Sequence, residues 1–310
     1  MSAPSSTLPN HTGIEAEARA RPRSEHRPLW WTAPATLVAL VAFVAPLVLV
    51  ATTSFLTDQG FTKVVRPWTA ENYTALFTSP ALRTMAANSV LVGIETAVVI
   101  TLAGLALTYW IRYRAGRLGP LVLALVIATM FASYLVRIYA WRTMLGTHGI
   151  VNSALEAVGI ISGPLEFLLF NRVAVVIAEA QLYLPMMVLI LYGGFRPIRP
   201  DYLEVARDLG VSGPRLWGRV VLPLMARPLA SVFALSFLFS STDWVAPQFL
   251  GGSAQIMLGL QVQHDFSETA QWAAGAALCL TMACAYAVLY GLAMLVLRWC
   301  GAKEIEWGAS

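Results

Sequence analysis

Four charged residues, Glu95, Arg137, Glu179 and Asp243, fall inside or at the ends of apolar stretches long enough to cross a bilayer. Facing lipid at mid-helix, each would cost at least ~2.5 kcal/mol, so each must face protein or water. Three acids against one Arg leave surplus negative charge, and Tyr134, Tyr139, Trp141, Tyr183 and Trp244 lie near them in the chain. Carboxylates beside aromatic rings suit an ammonium group, through ion pairing and cation–π contact. Two plainer readings stand next to this one. The charges can pair among themselves, Arg137 with Glu179 or Glu95, and Trp and Tyr gather at membrane interfaces whatever passes between them. Asp243, beside Trp244 and four residues before Pro247, is the best single candidate for contact with a cation.

Other chemistries lack their residues. The three Cys (Cys279, Cys284, Cys300) and four scattered His (His11, His26, His148, His264) form no CxxC, HExxH or zinc set. Of the two lysines, Lys63 and Lys303, neither follows the glycine spacing of a phosphate-cradling loop. No cofactor is expected on this chain, and no catalytic residue. Any ATP dependence, with its Mg, must come from a partner. The net charge of +4 hints at nucleic acid, but the basic residues are placed as membrane orientation requires, so no nucleic acid is expected.

The elements that hold these residues are set by the bilayer. With 57% hydrophobic and 12% charged residues and a mean hydropathy of +0.65, the 310-residue chain is a membrane protein. Its apolar blocks match the ~20 residues that span a ~30 Å hydrocarbon layer. Trp30–Phe55 is too long for a secretory signal and reads as an uncleaved first helix. Five spans follow: Ser89–Ile111, Leu118–Trp141, Val173–Phe195, Leu229–Leu250 and Trp272–Leu297. The fold class is an all-α polytopic membrane protein of six transmembrane helices. Residues 1–28 read as a disordered tail, 29–300 as the membrane domain and 301–310 as a second tail. Fifteen Lys and Arg lie on the side of the two termini, against Lys63, Arg66, Arg83 and Arg172 on the other, so both termini are expected in the cytoplasm.

Two connections are too long to be turns. Gly146–Arg172, on the outer side, contains a half-apolar stretch expected to form an interfacial helix. Residues 196–227, on the inner side, read RPIRPDYLEVARDLGVSGPRLWGRVVLPLMAR. Asp201 is placed to cap a short helix, Gly210 to stop it, and Ser212 with Pro214 to open a second one that Pro223 bends or ends. Leu203, Val205, Ala206 and Leu209 give this knuckle more apolar surface than so short a helix can hide. It either docks a partner or folds back on its own bundle. Pro185 and Pro247 are expected to interrupt the fourth and fifth spans and free backbone carbonyls there.

In this loop Glu204-Val205-Ala206, three residues, Gly210, nine residues, Val220, one residue, Leu222-Pro223 resembles the EAA motif of permease subunits of binding-protein-dependent ABC importers. Val205 departs from the motif, which prefers Ala there. SYLVRIYAWRTMLGTHGIVNSAL from Ser133, LPMMVLILYGGFRPIRPDYLEVARDLG from Leu184 and STDWVAPQFLGG from Ser241 are similar to spermidine/putrescine-type permeases. The resemblance covers roughly residues 30–299. It implies a type I ABC importer permease fold in a prokaryotic plasma membrane, with membrane lipid around it. Its implied partners are an ABC ATPase dimer, a second and different permease subunit, and an extracytoplasmic solute-binding protein. It implies that Glu204, Val205, Ala206, Asp208, Leu209, Gly210, Leu222 and Pro223 couple to the ATPase. The substrate path or gate is expected at Glu95, Arg137, Trp141, Glu179, Asp243 and Trp244, for a small solute, most readily a polyamine. The competing class is an ion-coupled secondary transporter or channel that uses the intramembrane acids. It has no need of the knuckle, and no inverted repeat is visible.

Overall fold

The structure is a computed structural model, and it describes residues 33–58, 64–65, 68–165, 168–198, 200–211 and 213–299. Both tails, residues 1–28 and 301–310, lie outside the described residues. The chain divides after Leu49 into two units. The first contains most of helix α1 (Ala33–Ser54), an apolar segment carrying Pro46. From Val50 on, the second unit holds everything else.

It opens with a two-residue antiparallel pairing of β1 (Thr57–Asp58) and β2 (Val64–Val65), followed by α2 (Glu71–Thr78). Helix α3 (Pro80–Tyr113) begins well before the expected Ser89, because its start signal lies upstream of the apolar block. Ser79 caps the helix by accepting from Leu82 N–H at 3.4 Å, and Pro80 takes the first turn. The third expected span is not one helix. It is α4 (Gly119–Ala128), a 3₁₀ turn over Thr129–Phe131, and α5 (Tyr134–Leu145), with Ala132 and Ser133 extended between them. The two halves meet at 99°. Among the described residues five helices are long and apolar enough to span, and this bent pair, taken as one span, makes a sixth.

The expected interfacial helix is short, α6 (Ile150–Ala157), with Ile150 exposed. Buried Asn152 stitches it down by donating to Gly146 O at 3.0 Å and accepting from Leu165 N–H at 2.9 Å. Helix α7 (Arg172–Phe195) runs unbroken through Pro185. After the short α8 (Pro200–Asp208), helix α9 (Pro214–Thr242) starts inside the loop and continues to the far end of the fifth span. Pro223 neither ends nor separates it. The turn in front of it, Trp217–Val221, is π-helical, and that wider turn accommodates a ring whose missing N–H would break a regular α ladder. The expected fifth span, Leu229–Leu250, instead breaks at Asp243-Trp244, and Pro247 sits inside a separate helix α10 (Val245–Leu250). Helix α11 (Leu258–Ser267) leads to α12 (Trp272–Trp299). Both carboxylate oxygens of Asp58 accept from Ala273 N–H at 3.1–3.2 Å, and one also accepts from Ala274 N–H at 3.2 Å, satisfying orphan donors of that helix.

Helices α3, α7 and α9 pack on one another along their lengths. Without hydrophobic drive between spans, close backbone approach decides such packing. A Cβ on Gly93 would meet Phe237 and Ser241 of α9 at 2.9 Å, and one on Gly194 would meet Pro228 at 2.6 Å. One buried cluster, with Met187, Leu191, Phe195, Ile198, Ala206 and Met225, lies toward the 196–227 loop. The other, with Val92, Ile138, Val175, Ala178, Val245 and Leu250, lies at the opposite end.

Candidate functional site: the Asp243 break and the Glu204 knuckle

The break after Thr242 gathers the acid nearest the end of α9. Asp243 is extended at ψ 140°, which turns the chain from α9 into α10. Its Oδ1 accepts from Val245 N–H at 3.0 Å, capping the short helix. Its Oδ2 accepts from the Tyr134 hydroxyl at 2.5 Å and from Tyr183 at 3.4 Å. Tyr134 opens α5, so the bend in the third span is what brings it here. Asp243 remains 8% exposed. Glu179, on α7, is wholly buried. Its Oε2 accepts from Thr96 Oγ1 of α3 at 3.2 Å and from Ser240 Oγ of α9, while Oε1 is buried with no partner among the described residues. Among the described residues neither carboxyl is in an ion pair.

The remaining expected path residues go elsewhere. Glu95 pairs with Arg172 at 3.1 Å, each about two-fifths exposed, and not with Arg137. Arg137 donates through Nη1 to Leu182 O at 3.4 Å, in the turn before Pro185, and its Nε is buried without a partner among the described residues. Trp141, one turn along α5, donates through Nε1 to Gln181 Oε1 at 3.3 Å. Arg137 and Trp141 therefore staple α5 to α7. Trp244 is 39% exposed and lines a largely apolar groove of about 2060 Å³ between α3, α9, α11 and α12. The structure thus brings Glu179 and Asp243 into one neighbourhood and leaves Glu95, Arg137, Trp141 and Trp244 around it. Thr96 and Ser240 carried no sequence signal, since Ser and Thr at helical spacing are ordinary packing residues in spans.

At the other end, α8 starts at Pro200, so Asp201 lies in its first turn and not at the cap. Gly210 stops it at φ +79°, with Leu209 N–H donating to Val205 O at 3.1 Å and Val211 N–H to Ala206 O at 2.9 Å. The two readings of the knuckle are both partly realised. Ala206 and Leu216 are buried against Phe195 and Met225. Tyr202, Glu204, Val205, Asp208 and Leu209, the last 78% exposed, point outward. Leu222 and Pro223 are exposed on the first turns of α9.

Residues 100–303 match the family model described as "binding-protein-dependent transport system inner membrane component". The chain belongs to this family. It is a multi-pass inner-membrane permease subunit of an ABC importer. It is similar to the spermidine/putrescine transport system permease protein PotB of Haemophilus influenzae, 31% identical over 81% of this chain and 87% of that one. In fold it is similar to a bacterial ABC transporter involved in import of the acidic polysaccharide alginate, with a TM-score of 0.71 at 16% identity over 88% of this chain and 96% of that one. A bacterial alginate ABC transporter in complex with an alginate pentasaccharide-bound periplasmic protein matches with a TM-score of 0.71 at 14% identity, over 89% of this chain and 95% of that one. A permease of this family works with a solute-binding protein.

Proposed function

We propose that this permease forms half of the translocation path for a polyamine of the spermidine/putrescine class. A second, different permease subunit supplies the other half, and an extracytoplasmic binding protein delivers the solute. The likeness to PotB supports the cargo. Asp243 is the observation that carries the reading. It is a buried carboxyl with three donors but no cation among the described residues, next to a second acid whose Oε1 is unpartnered. A carboxylate so placed is costly alone and is compensated by an arriving ammonium group. Alginate is acidic, so the fold does not dictate the charge of the cargo and the site must.

The chain is non-catalytic in this reading. ATP and Mg belong to a cytoplasmic ATPase dimer that docks on the outward face of α8, through Glu204, Val205, Asp208 and Leu209. ATP closes the ATPases, the docked knuckles move together, and the bundle alternates its access. Residues 29–300 are the permease domain, and both termini lie in the cytoplasm. The half-exposed Glu95–Arg172 pair cannot face hydrocarbon, which supports a second subunit or an aqueous path beside α3.

The test is Asp243→Asn, which keeps shape and most hydrogen bonding but deletes the charge. Spermidine uptake should fall about tenfold or more, the size of losing one desolvated charge contact, while partner subunits still co-purify. Lost co-purification would make Asp243 an assembly residue, and unchanged uptake would remove it from the path.

A further inference from the structure

The knuckle is wedged into the bundle by a residue outside the motif. Trp217 opens the π turn, and its ring lies 4.6 Å from Tyr109 of α3, at 52° between planes. Tyr109 in turn lies 5.1 Å from Tyr113 and 6.4 Å from Phe195 at the end of α7. Tyr113 meets Phe195 edge-on at 5.8 Å and donates to Ile198 O at 2.9 Å, where the chain leaves α7 for the loop. Four rings from three elements thus close a cluster under α8, backed by buried Leu216, Val221 and Met225.

A π turn carries one extra residue in the helical ladder, and Pro223 beyond it has no N–H to give. The ladder is irregular there, and Pro228 interrupts it again further along the 29-residue α9. A push on α8 is therefore poorly carried up α9 as along a rod. Close-packed rings, by contrast, resist compression and pass displacement sideways. The sideways contact is Trp217 on Tyr109. Tyr109 shares α3 with Thr96, about 20 Å away at ~1.5 Å per residue, and Thr96 donates to Glu179.

We propose that Trp217 is a positioning residue that couples the α8 knuckle to α3, delivering the knuckle's motion to the helix whose Thr96 donates to Glu179. This rests on the reading of α8 as the ATPase-docking element. Neither Trp217 nor Tyr109 has to touch solute or ATPase for this role.

The experiment uses the full permease complex purified with its own ATPase, in a background where Cys279, Cys284 and Cys300 are Ser. Gln248→Cys, exposed on α10, reports access at the far end through its labelling rate by an impermeant thiol reagent with and without ATP. With Trp217 intact, ATP should change that rate. In Trp217→Leu, the ATPase should still co-purify and hydrolyse ATP, but the ATP-dependent change at Gln248→Cys should be lost. Trp217→Phe should restore it, Tyr109→Leu should mimic the loss, and the double variant should be no worse than either single one. A full ATP response in Trp217→Leu overturns the proposal. So does loss of co-purification in both Leu variants, which would make the rings core filler, and so does an absent response with Trp217 intact. Glu204→Arg separates the underlying reading. If it co-purifies and responds like the parent, docking through α8 itself is wrong. If it loses the ATPase while Trp217→Leu responds normally, only the aromatic coupling falls.

Discussion

Asp243 and Glu179 differ in what surrounds them, although both are buried acids in a span or at its end. Asp243 keeps a little exposure and spends its oxygens on two tyrosines and a helix cap, so it can exchange a hydroxyl partner for an ammonium without moving backbone. Glu179 has no exposure and leans on two hydroxyls, so it responds to a cation only if α3, α7 and α9 move apart. A third buried acid, Asp265 on α11, lies outside the spans. Burial pushes its carboxyl above the ordinary value of 3.8, Asp58 adds to the rise, and Gln261, donating at 2.7 Å, and nearby His264 oppose it. A raised folded value means that the folded state holds the proton more tightly. Its contribution to stability is full below the unfolded value and is lost as pH rises through the folded one. Asp265→Asn should therefore remove a loss of stability that begins above pH about 4 and be at least as stable as the parent at neutral pH. Melting of the detergent-solubilised protein from acid to neutral pH checks this. A variant less stable than the parent at neutral pH would contradict it.

At the scale of the element, α8 is short, stopped by a left-handed glycine, and buried on one face only. Glu204→Arg reverses an exposed charge on the outward face, and Gly210→Pro demands φ near −65° where the chain stands at +79°. Both should abolish uptake and weaken ATPase association, by about tenfold or more, while the bundle still purifies folded, since neither residue lies in a buried cluster. Gel filtration together with ATPase pull-down measures the two effects separately. Normal transport in both variants would mean that α8 is not the coupling element.

For the whole molecule, the inner and outer loops follow from where the basic residues lie. Cysteines placed at Ser212 and Ser253 should label from opposite sides of sealed cells, Ser253 from outside. Labelling of both from one side would overturn the orientation. This measurement also decides which core cluster lies toward the cytoplasm, and hence which end of α3 the ATPase acts on.

The number and approximate place of the spans, the permease family and the short helix of the knuckle were legible in the chain, because each is a local property. Length and hydropathy select a span, an EAA spacing marks the loop, and Gly210 marks a helix stop. Local patterns could not show the 99° bend before Tyr134, since apolar residues continue on both sides of it. Nor could they show α9 running through Pro223, since a π turn is a solution found in three dimensions. Pairings were the least legible. Glu95 meets Arg172 and Arg137 meets a carbonyl, because which charges face each other depends on how α3, α5 and α7 are rotated. The grouping of Tyr134, Tyr183 and Asp243 is likewise a product of tertiary structure. It brings together residues up to 109 positions apart, a distance over which no periodicity in the chain carries information.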